Sequence, residues 1–285
     1  AGAVRALVSN DDGIHSPGIE ALERAARAAG FETYVVAPDR EQSATSHALT
    51  LHRPLRVVKT GERSWVVDGT PTDCVNLGIC SVLRDVRPDF VFSGINQGPN
   101  LGDDVTYSGT VAAAFEGTLQ GVPSIAFSLD YRRDAADAPP DFTHAEAVAE
   151  EVIRLALSRP MGEEILWNVN IPTGKPAGIR ATRMGRRRYG ESVVEKIDPR
   201  GRPYFWIGGA HIDTHEDGSD LTTVADGYVS VTPLHLDLTA YRALEDLANR
   251  LGAGGGGVEV LGVANIERFA EAPERMHPKN IFPDC

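Results

Sequence analysis

The stretch Val4-Arg5-Ala6-Leu7-Val8-Ser9-Asn10-Asp11-Asp12-Gly13 starts as a buried strand and stops abruptly in two adjacent acids and a glycine. Folding alone does not account for that ending. Two carboxylates side by side repel, and neither helps a strand pack. A hard cation between them removes the conflict, because carboxylate oxygens are preferred ligands of Mg²⁺, Mn²⁺ or Ca²⁺. A strand that runs into such a loop is also how an α/β domain begins, since ligands there bind beyond the carboxyl ends of the strands.

Working outward, Ser16-Pro17 opens a helix, with Ser as N-cap and Pro at the first helical position. Ile19, Leu22, Ala25, Ala26 and Ala29 mark its apolar face, and Gly30 closes it. Residues 31–37 predict a second strand cut by Pro38. Residues 49–58 and 64–67 predict extra β segments turning at Gly61. Thr70-Pro71-Thr72-Asp73 has capping-box character, with Asp in place of Glu, and predicts a helix to about Leu83. Strands follow at 89–93, 124–129 and 165–171, and helices follow Ser108-Gly109-Thr110 and span 145–157. Such alternation predicts a mostly parallel sheet with helices on both faces. Beyond Gly174 the pattern changes. Arg186-Arg187-Arg188, Tyr204-Phe205-Trp206 and residues 228–232 predict β ribbons and loops, and 238–251 a late helix. The expected organisation is a core at 1–174, a β-rich segment at 175–252, and a Gly-rich linker and tail at 253–285.

The 285 residues are 42% hydrophobic and 7% aromatic, which suits a large α/β domain better than a β sandwich. A formal net charge of −12 argues against a nucleic-acid polymer as partner. A small anionic substrate remains compatible with it, provided a bound cation reverses the local field. Cys74, Cys80 and Cys285 lack metal-type spacing and imply a reducing compartment without a disulfide framework. No apolar run is long enough to span a membrane, and no charged-then-apolar leader opens the sequence, so the expected location is the cytoplasm.

Three polar clusters fall at strand ends. Asp11 and Asp12 follow the first strand, Asp39-Arg40-Glu41-Gln42-Ser43 the second, and Gly94-Ile95-Asn96-Gln97-Gly98-Pro99-Asn100 the third. A parallel sheet brings all three to one edge. Asp11, Asp12, Ser43 and Asn96 then form an all-oxygen set suited to a hard divalent cation, with room for water and substrate. At Ser108-Gly109-Thr110, a helix N-terminus offers free N–H groups and the positive dipole end to a phosphate. Taken singly, each feature has an ordinary explanation: solvated acids, turn asparagines, a plain helix cap. His15 and His47 lie near the proposed site, but a lone loop histidine says little. No Walker lysine and no G-x-G-x-x-G spacing is present. The reading rests on convergence.

Several of these motifs occur together in a known order. Ser9-Asn10-Asp11-Asp12-Gly13, Ala37-Pro38-Asp39, Gly69-Thr70-Pro71-Thr72-Asp73-Cys74, Ser93-Gly94-Ile95-Asn96, Gly98-Pro99-Asn100-Leu101-Gly102 and Ser108-Gly109-Thr110-Val111 resemble the stationary-phase survival protein SurE family. The similarity is dense from 4 to 128. It resumes at Trp167-Asn168-Val169-Asn170-Ile171-Pro172 and at 227–233. The resemblance implies a Rossmann-like three-layer α/β/α sandwich whose C-terminal β ribbon or helix is exchanged between subunits in a homodimer or homotetramer. It implies a metal-dependent phosphatase acting on nucleoside 5′- and often 3′-monophosphates, with polyphosphate as a further substrate of some members. One Mg²⁺ or Mn²⁺ per subunit falls on Asp11, Asp12, Ser43 and Asn96. Phosphate contacts fall on Ser108, Gly109 and Thr110, with Asn96 and Asn100 beside them. Two departures stand out. Gln42 replaces the basic residue that many members carry before the metal-binding serine, and the segment from about Ala253 extends past the usual family end.

The expected reaction is hydrolysis of a phosphate monoester, with Asp12 as general base and Asp11 mainly a ligand. Direct attack by an Asp on phosphorus ranks second, because a carboxylate committed to a cation is a poorer nucleophile. A non-catalytic nucleotide sensor is the alternative of a different class.

Overall fold

The computed structural model describes residues 3–131, 138–189, 193–207 and 211–253. The expected Gly-rich run from Gly254 and the tail after it lie outside the described residues. The elements, in order, are β1 (Arg5–Ser9), α1 (Pro17–Ala28), β2 (Glu32–Pro38), β3 (Val57–Gly61), β4 (Ser64–Val67), α2 (Pro71–Leu77), β5 (Phe90–Gln97), α3 (Gly109–Leu119), β6 (Ser124–Asp130), α4 (Thr143–Ser158) and β7 (Ile165–Pro172). They continue as β8 (Ile179–Ala181), β9 (Arg187–Tyr189), β10 (Val193–Ile197), β11 (Pro203–Ile207), β12 (His211–Asp213), α5 (Asp220–Ala225), β13 (Val229–His235) and α6 (Tyr241–Ala253).

Local chemistry sets the helix starts. Ser16 Oγ accepts the N–H of Ile19, and Pro17 occupies the first position of α1, where a missing N–H costs nothing. At α2 the capping box closes in both directions: Asp73 N–H donates to Thr70 Oγ1 at 3.1 Å, and Thr70 N–H donates to Asp73 Oδ2 at 2.8 Å. A π turn over Gly78–Val82 then carries the helix to the expected end near Leu83.

Nine strands form the central sheet in the order β3-β4-β2-β1-β5-β6-β7-β13-β8. β4, β2, β1, β5, β6 and β7 are mutually parallel, whereas β3 joins β4 and β13 joins β7 antiparallel. Ala6, Leu7 and Val8 of β1 are wholly buried, as a strand covered on both faces requires. One layer packs Ile19, Leu22, Val152 and Ile153 of α1 and α4 on Ala6, Val8, Phe92 and Phe127. The opposite layer packs Val75 of α2 and Ala113 of α3 on Leu7, Val36 and Val91. Burial of each large aliphatic side chain contributes about 1.5–3 kcal/mol. The result is the three-layer α/β/α sandwich expected from the resemblance. One contact is unusually close. A Cβ on Gly18 would lie 1.9 Å from the carbonyl oxygen of Ile95, so α1 seats directly on the backbone of β5.

Three sequence expectations change. Residues 228–232 do not stay in a ribbon; β13 enters the central sheet, because Val229, Ser230, Val231 and Thr232 are all buried and pack on both faces. The segment before Val57 is not strand, since Pro54 interrupts it and Thr50 gives its N–H to Asp73 instead of a neighbouring strand. The pairs β10–β11 and β9–β12 are antiparallel ribbons, as the sequence predicts beyond Gly174. The cysteine expectation also changes at one position: Cys80 is disulfide-bonded, while Cys74 is a buried free thiol. Among the described residues, no helix is long and apolar enough to cross a membrane.

Candidate active site

The chain runs from β1 to β2 on one side and later crosses to β5 on the other. That reversal places a crevice beyond the carboxyl ends of β1 and β5. Asp11 and Asp12 leave β1 at this crevice. Direct contacts draw the other loops onto them. Gln42 N–H donates to the carbonyl oxygen of Asp11 at 2.7 Å, which brings in the loop after β2. Gln97 N–H donates to Asp12 Oδ2 at 3.1 Å, which brings in the end of β5. From below, Thr110 Oγ1 donates to Asp11 Oδ1. The start of α3 approaches so closely that a Cβ on Gly109 would meet Asp11.

Electrostatics at this point are unbalanced. Burial, and then the neighbouring Asp12 carboxylate, push the Asp11 carboxyl from its ordinary 3.8 up to about 7, against the Thr110 hydrogen bond. A buried carboxyl crowded by a second one is a place where positive charge is favourable. Among the described residues, no three His, Cys, Asp or Glu side chains gather as a metal cluster. A cation here would therefore rely on two carboxylates plus neutral oxygens and water. That donor chemistry fits a hard divalent ion and not zinc.

The neutral candidates stand differently. Asn96 follows a register shift in the β5–β6 pairing between Ser93 and Asn96, the kind of irregularity that re-aims a side chain. Its Nδ2 donates to the Gly98 carbonyl at 2.8 Å, so the amide oxygen is the atom that could face a cation. Ser43 lies one residue beyond the Gln42–Asp11 contact, but its hydroxyl donates to Glu41 Oε1 at 2.7 Å and not to the acids. Ser108 Oγ accepts from Val111 N–H at 3.1 Å, so its own proton can still be given to an anion. The N–H groups of Gly109 and Thr110 have no partner within the helix, because they belong to its first turn.

Asn100 is held more firmly than a turn residue needs. Its N–H donates to Asn170 Oδ1 at 2.8 Å, and its carbonyl accepts from Asn168 Nδ2 at 2.8 Å and Asn170 Nδ2 at 3.0 Å. Its side-chain nitrogen donates to Ser128 Oγ at 2.7 Å. The side chain is thus engaged inward, and β7 clamps the loop that joins Asn96 to α3.

A family profile described as Survival protein SurE matches residues 6–191. The chain belongs to the SurE family. Its relatives include the 5'-nucleotidase SurE of Anaeromyxobacter dehalogenans strain 2CP-1, 55% identical over 239 residues, which cover 83% of this chain and 91% of that protein. The 5'-nucleotidase SurE of Syntrophotalea carbinolica is 52% identical over 85% of this chain and 95% of its own length. Among solved structures, the SurE protein from Aquifex aeolicus superposes with a TM-score of 0.76 at 42% identity, over 87% of this chain and 99% of that one.

In this member of the SurE family, Ser128, Asn168 and Asn170 hold Asn100, and Glu116 of α3 meets His47 of the loop after β2; the sequence singles out none of the four as a site support. A signal was present for the asparagines. Asn168 and Asn170 are polar residues at alternate positions of a strand whose other residues read as core, and both are fully buried. Glu116 gave none, because one acid within a helix reads as solvated.

Proposed function

We propose that this chain is a divalent-metal-dependent phosphomonoesterase that hydrolyses nucleoside 5′-monophosphates to nucleoside and phosphate, and 3′-monophosphates as well. The observation that carries the reading is the meeting of Asp11 with the N-terminus of α3, which sets an acid pair beside the first-turn N–H groups of a helix. Relatives above 50% identity that bear the name 5'-nucleotidase SurE support the same activity.

Asp11, Asp12, Ser43 and Asn96 would hold one Mg²⁺ or Mn²⁺ per subunit. When bound, the ion supplies Lewis acidity, a more acidic water and charge neutralisation. The chain's own groups do the rest. Free N–H groups of Gly109 and Thr110 and the Ser108 hydroxyl bind the phosphoryl oxygens at the positive end of α3. Thr110 fixes the Asp11 carboxylate through its hydroxyl and contacts phosphate through its backbone. Asp12 takes the proton of the attacking water, while the Gln97 N–H steadies its other side. Asn100 serves as the anchor of the site loop, with phosphate contact secondary to that role.

For the assembly, we read the β10–β11 ribbon as a subunit contact. Val193, Val194, Ile197, Tyr204, Phe205, Trp206 and Ile207 are exposed along both strands. A two-stranded ribbon of this kind is marginal alone, and a second copy of the chain would cover it. The core at 1–174 and the β-rich segment at 175–252 then divide the work between chemistry and association, although β8 and β13 also belong to the central sheet.

The test is phosphate release from 5′- and 3′-nucleoside monophosphates and from short polyphosphate, with EDTA and then with Mg²⁺ or Mn²⁺ restored. Release that returns with the metal supports the proposal and ranks substrates. Binding of monophosphate without turnover under any metal would favour the sensor reading.

A further inference from the structure

Residues 42–50 form a strap that leaves Asp11 and passes over α3 toward α2. Its anchors are specific. Ser46 N–H donates to the Tyr107 carbonyl at 3.2 Å, and Ser46 Oγ donates to the Thr106 carbonyl at 2.8 Å. Further on, Thr70 Oγ1 donates to the Ala48 carbonyl at 2.8 Å, and Thr50 gives its N–H and hydroxyl to the two oxygens of Asp73 at 2.9 and 2.6 Å. Between these anchors His47 Nε2 lies 2.8 Å from Glu116 Oε2.

Glu116 is only 2% exposed, in a helix face that apolar side chains would fill without electrostatic cost. Its oxygens are divided. Oε1 accepts from Asn76 Nδ2 of α2 at 2.8 Å, which ties α2 to α3, and from Gln120 Nε2 at the end of α3 at 3.0 Å. Oε2 takes His47, which belongs to the strap. Just before His47, Ala44 and Ser46 hold left-handed backbone at φ 55° and 53°, a conformation disfavoured for residues with a Cβ. Two such residues persist only where their surroundings hold them. They lie between Ser43 and His47, so their geometry fixes how far the serine stands from the histidine's anchor.

We propose that His47 is a positioning residue: by docking on Oε2 of Glu116 it sets where Ser43 stands against Asp11, and so sets the divalent-cation affinity of the site. The inference rests on the reading of Ser43 as a metal ligand. It assigns a function to a hydrogen-bonded pair remote from the chemistry, because Glu116 is two helical turns below the α3 N-terminus. Loss of a group that orients a ligand typically costs about 10- to 100-fold in metal affinity.

The experiment is direct Mn²⁺ titration of the full chain by calorimetry, together with Tm without metal and kcat at saturating metal, for wild type, His47→Ala, His47→Gln and Asn76→Ala. Expected for His47→Ala is an Mn²⁺ Kd raised about 10-fold, with kcat at saturating metal near wild type. His47→Gln keeps an N–H donor and recovers part of the affinity. Asn76→Ala loosens Glu116 from the helix side, lowering Tm without moving Kd. A wild-type Kd in His47→Ala, or an equal rise in Asn76→Ala, overturns the inference while leaving the site reading intact. A wild type that binds no Mn²⁺ overturns the site reading and this inference with it.

Discussion

A Cβ on Gly109 would lie 2.9 Å from Cβ of Asp11 and 3.1 Å from its Oδ2, so the start of α3 and the end of β1 meet with no room for a methyl group. Pro71 closes the other side at 3.2 Å. The contact explains a glycine at a helix start where its flexibility is not needed. Gly109→Ala should force α3 and Asp11 apart by a fraction of an ångström. The expected result is a loss of about 10²-fold in kcat/KM, the scale of a small misplacement at a reacting centre. Far-ultraviolet dichroism should stay unchanged, and a variant with wild-type kinetics would remove the close approach from the account.

Asp12→Asn tests the general base. With Mn²⁺ saturating, kcat should fall by at least ~10². Retained turnover would reassign the proton. Oxygen-18 appearing in an Asp side chain during a single turnover would instead establish attack by the protein on phosphorus.

Asn168 and Asn170 hold the backbone of Asn100 unequally, and the inequality gives an order. Asn170→Ala breaks a bond to the Asn100 N–H and one to its carbonyl, whereas Asn168→Ala breaks one bond to the carbonyl. Each buried group left unpaired costs about 1–3 kcal/mol. Chemical denaturation should therefore rank Asn170→Ala below Asn168→Ala in stability, and the reverse order would deny the clamp.

Glu116 carries a pH signature. Burial raises its carboxyl pKa, but the hydrogen bonds from His47, Asn76 and Gln120 outweigh it and hold the group below its ordinary 4.5. A carboxyl depressed in the folded state contributes stability that is complete above the unfolded value and is lost as pH falls through the folded one. Glu116→Gln should be about 1–3 kcal/mol less stable near neutral pH. Below pH 4.5 the gap to wild type should close. Melting curves recorded across that range check it, and a gap independent of pH would show that the charge contributes nothing.

The parts of this molecule legible in its sequence are those fixed by local chemistry. Ser16-Pro17 and Thr70-Pro71-Thr72-Asp73 announce helix starts because capping is a matter of three or four consecutive residues. The strand-end acids were legible because a parallel sheet sends all such loops to one edge. What escaped depends on distance in sequence. Residues 228–232 read as ribbon, since β13 shows its burial on both faces only once β7 and β8 lie beside it. The Glu116–His47 pair spans 69 residues, and nothing in either local pattern points to the other. Ser43 was read as a ligand from its place after β2, yet its hydroxyl in this structure meets Glu41, a partner set by side-chain rotation that no spacing encodes.

The clamp on Asn100 also bears on the order of assembly. Its donors lie 68 and 70 residues downstream of the loop they hold. As the chain is synthesised, Asp11 and Asp12 are made long before β7, but the loop between Asn96 and α3 stays untied until β7 has been made and has paired with β6. Contacts of such long range are slow to close. The earliest-made residues of the crevice thus wait for some of the latest strands of the parallel sheet, and a nascent chain acquires its acids well before it can use them.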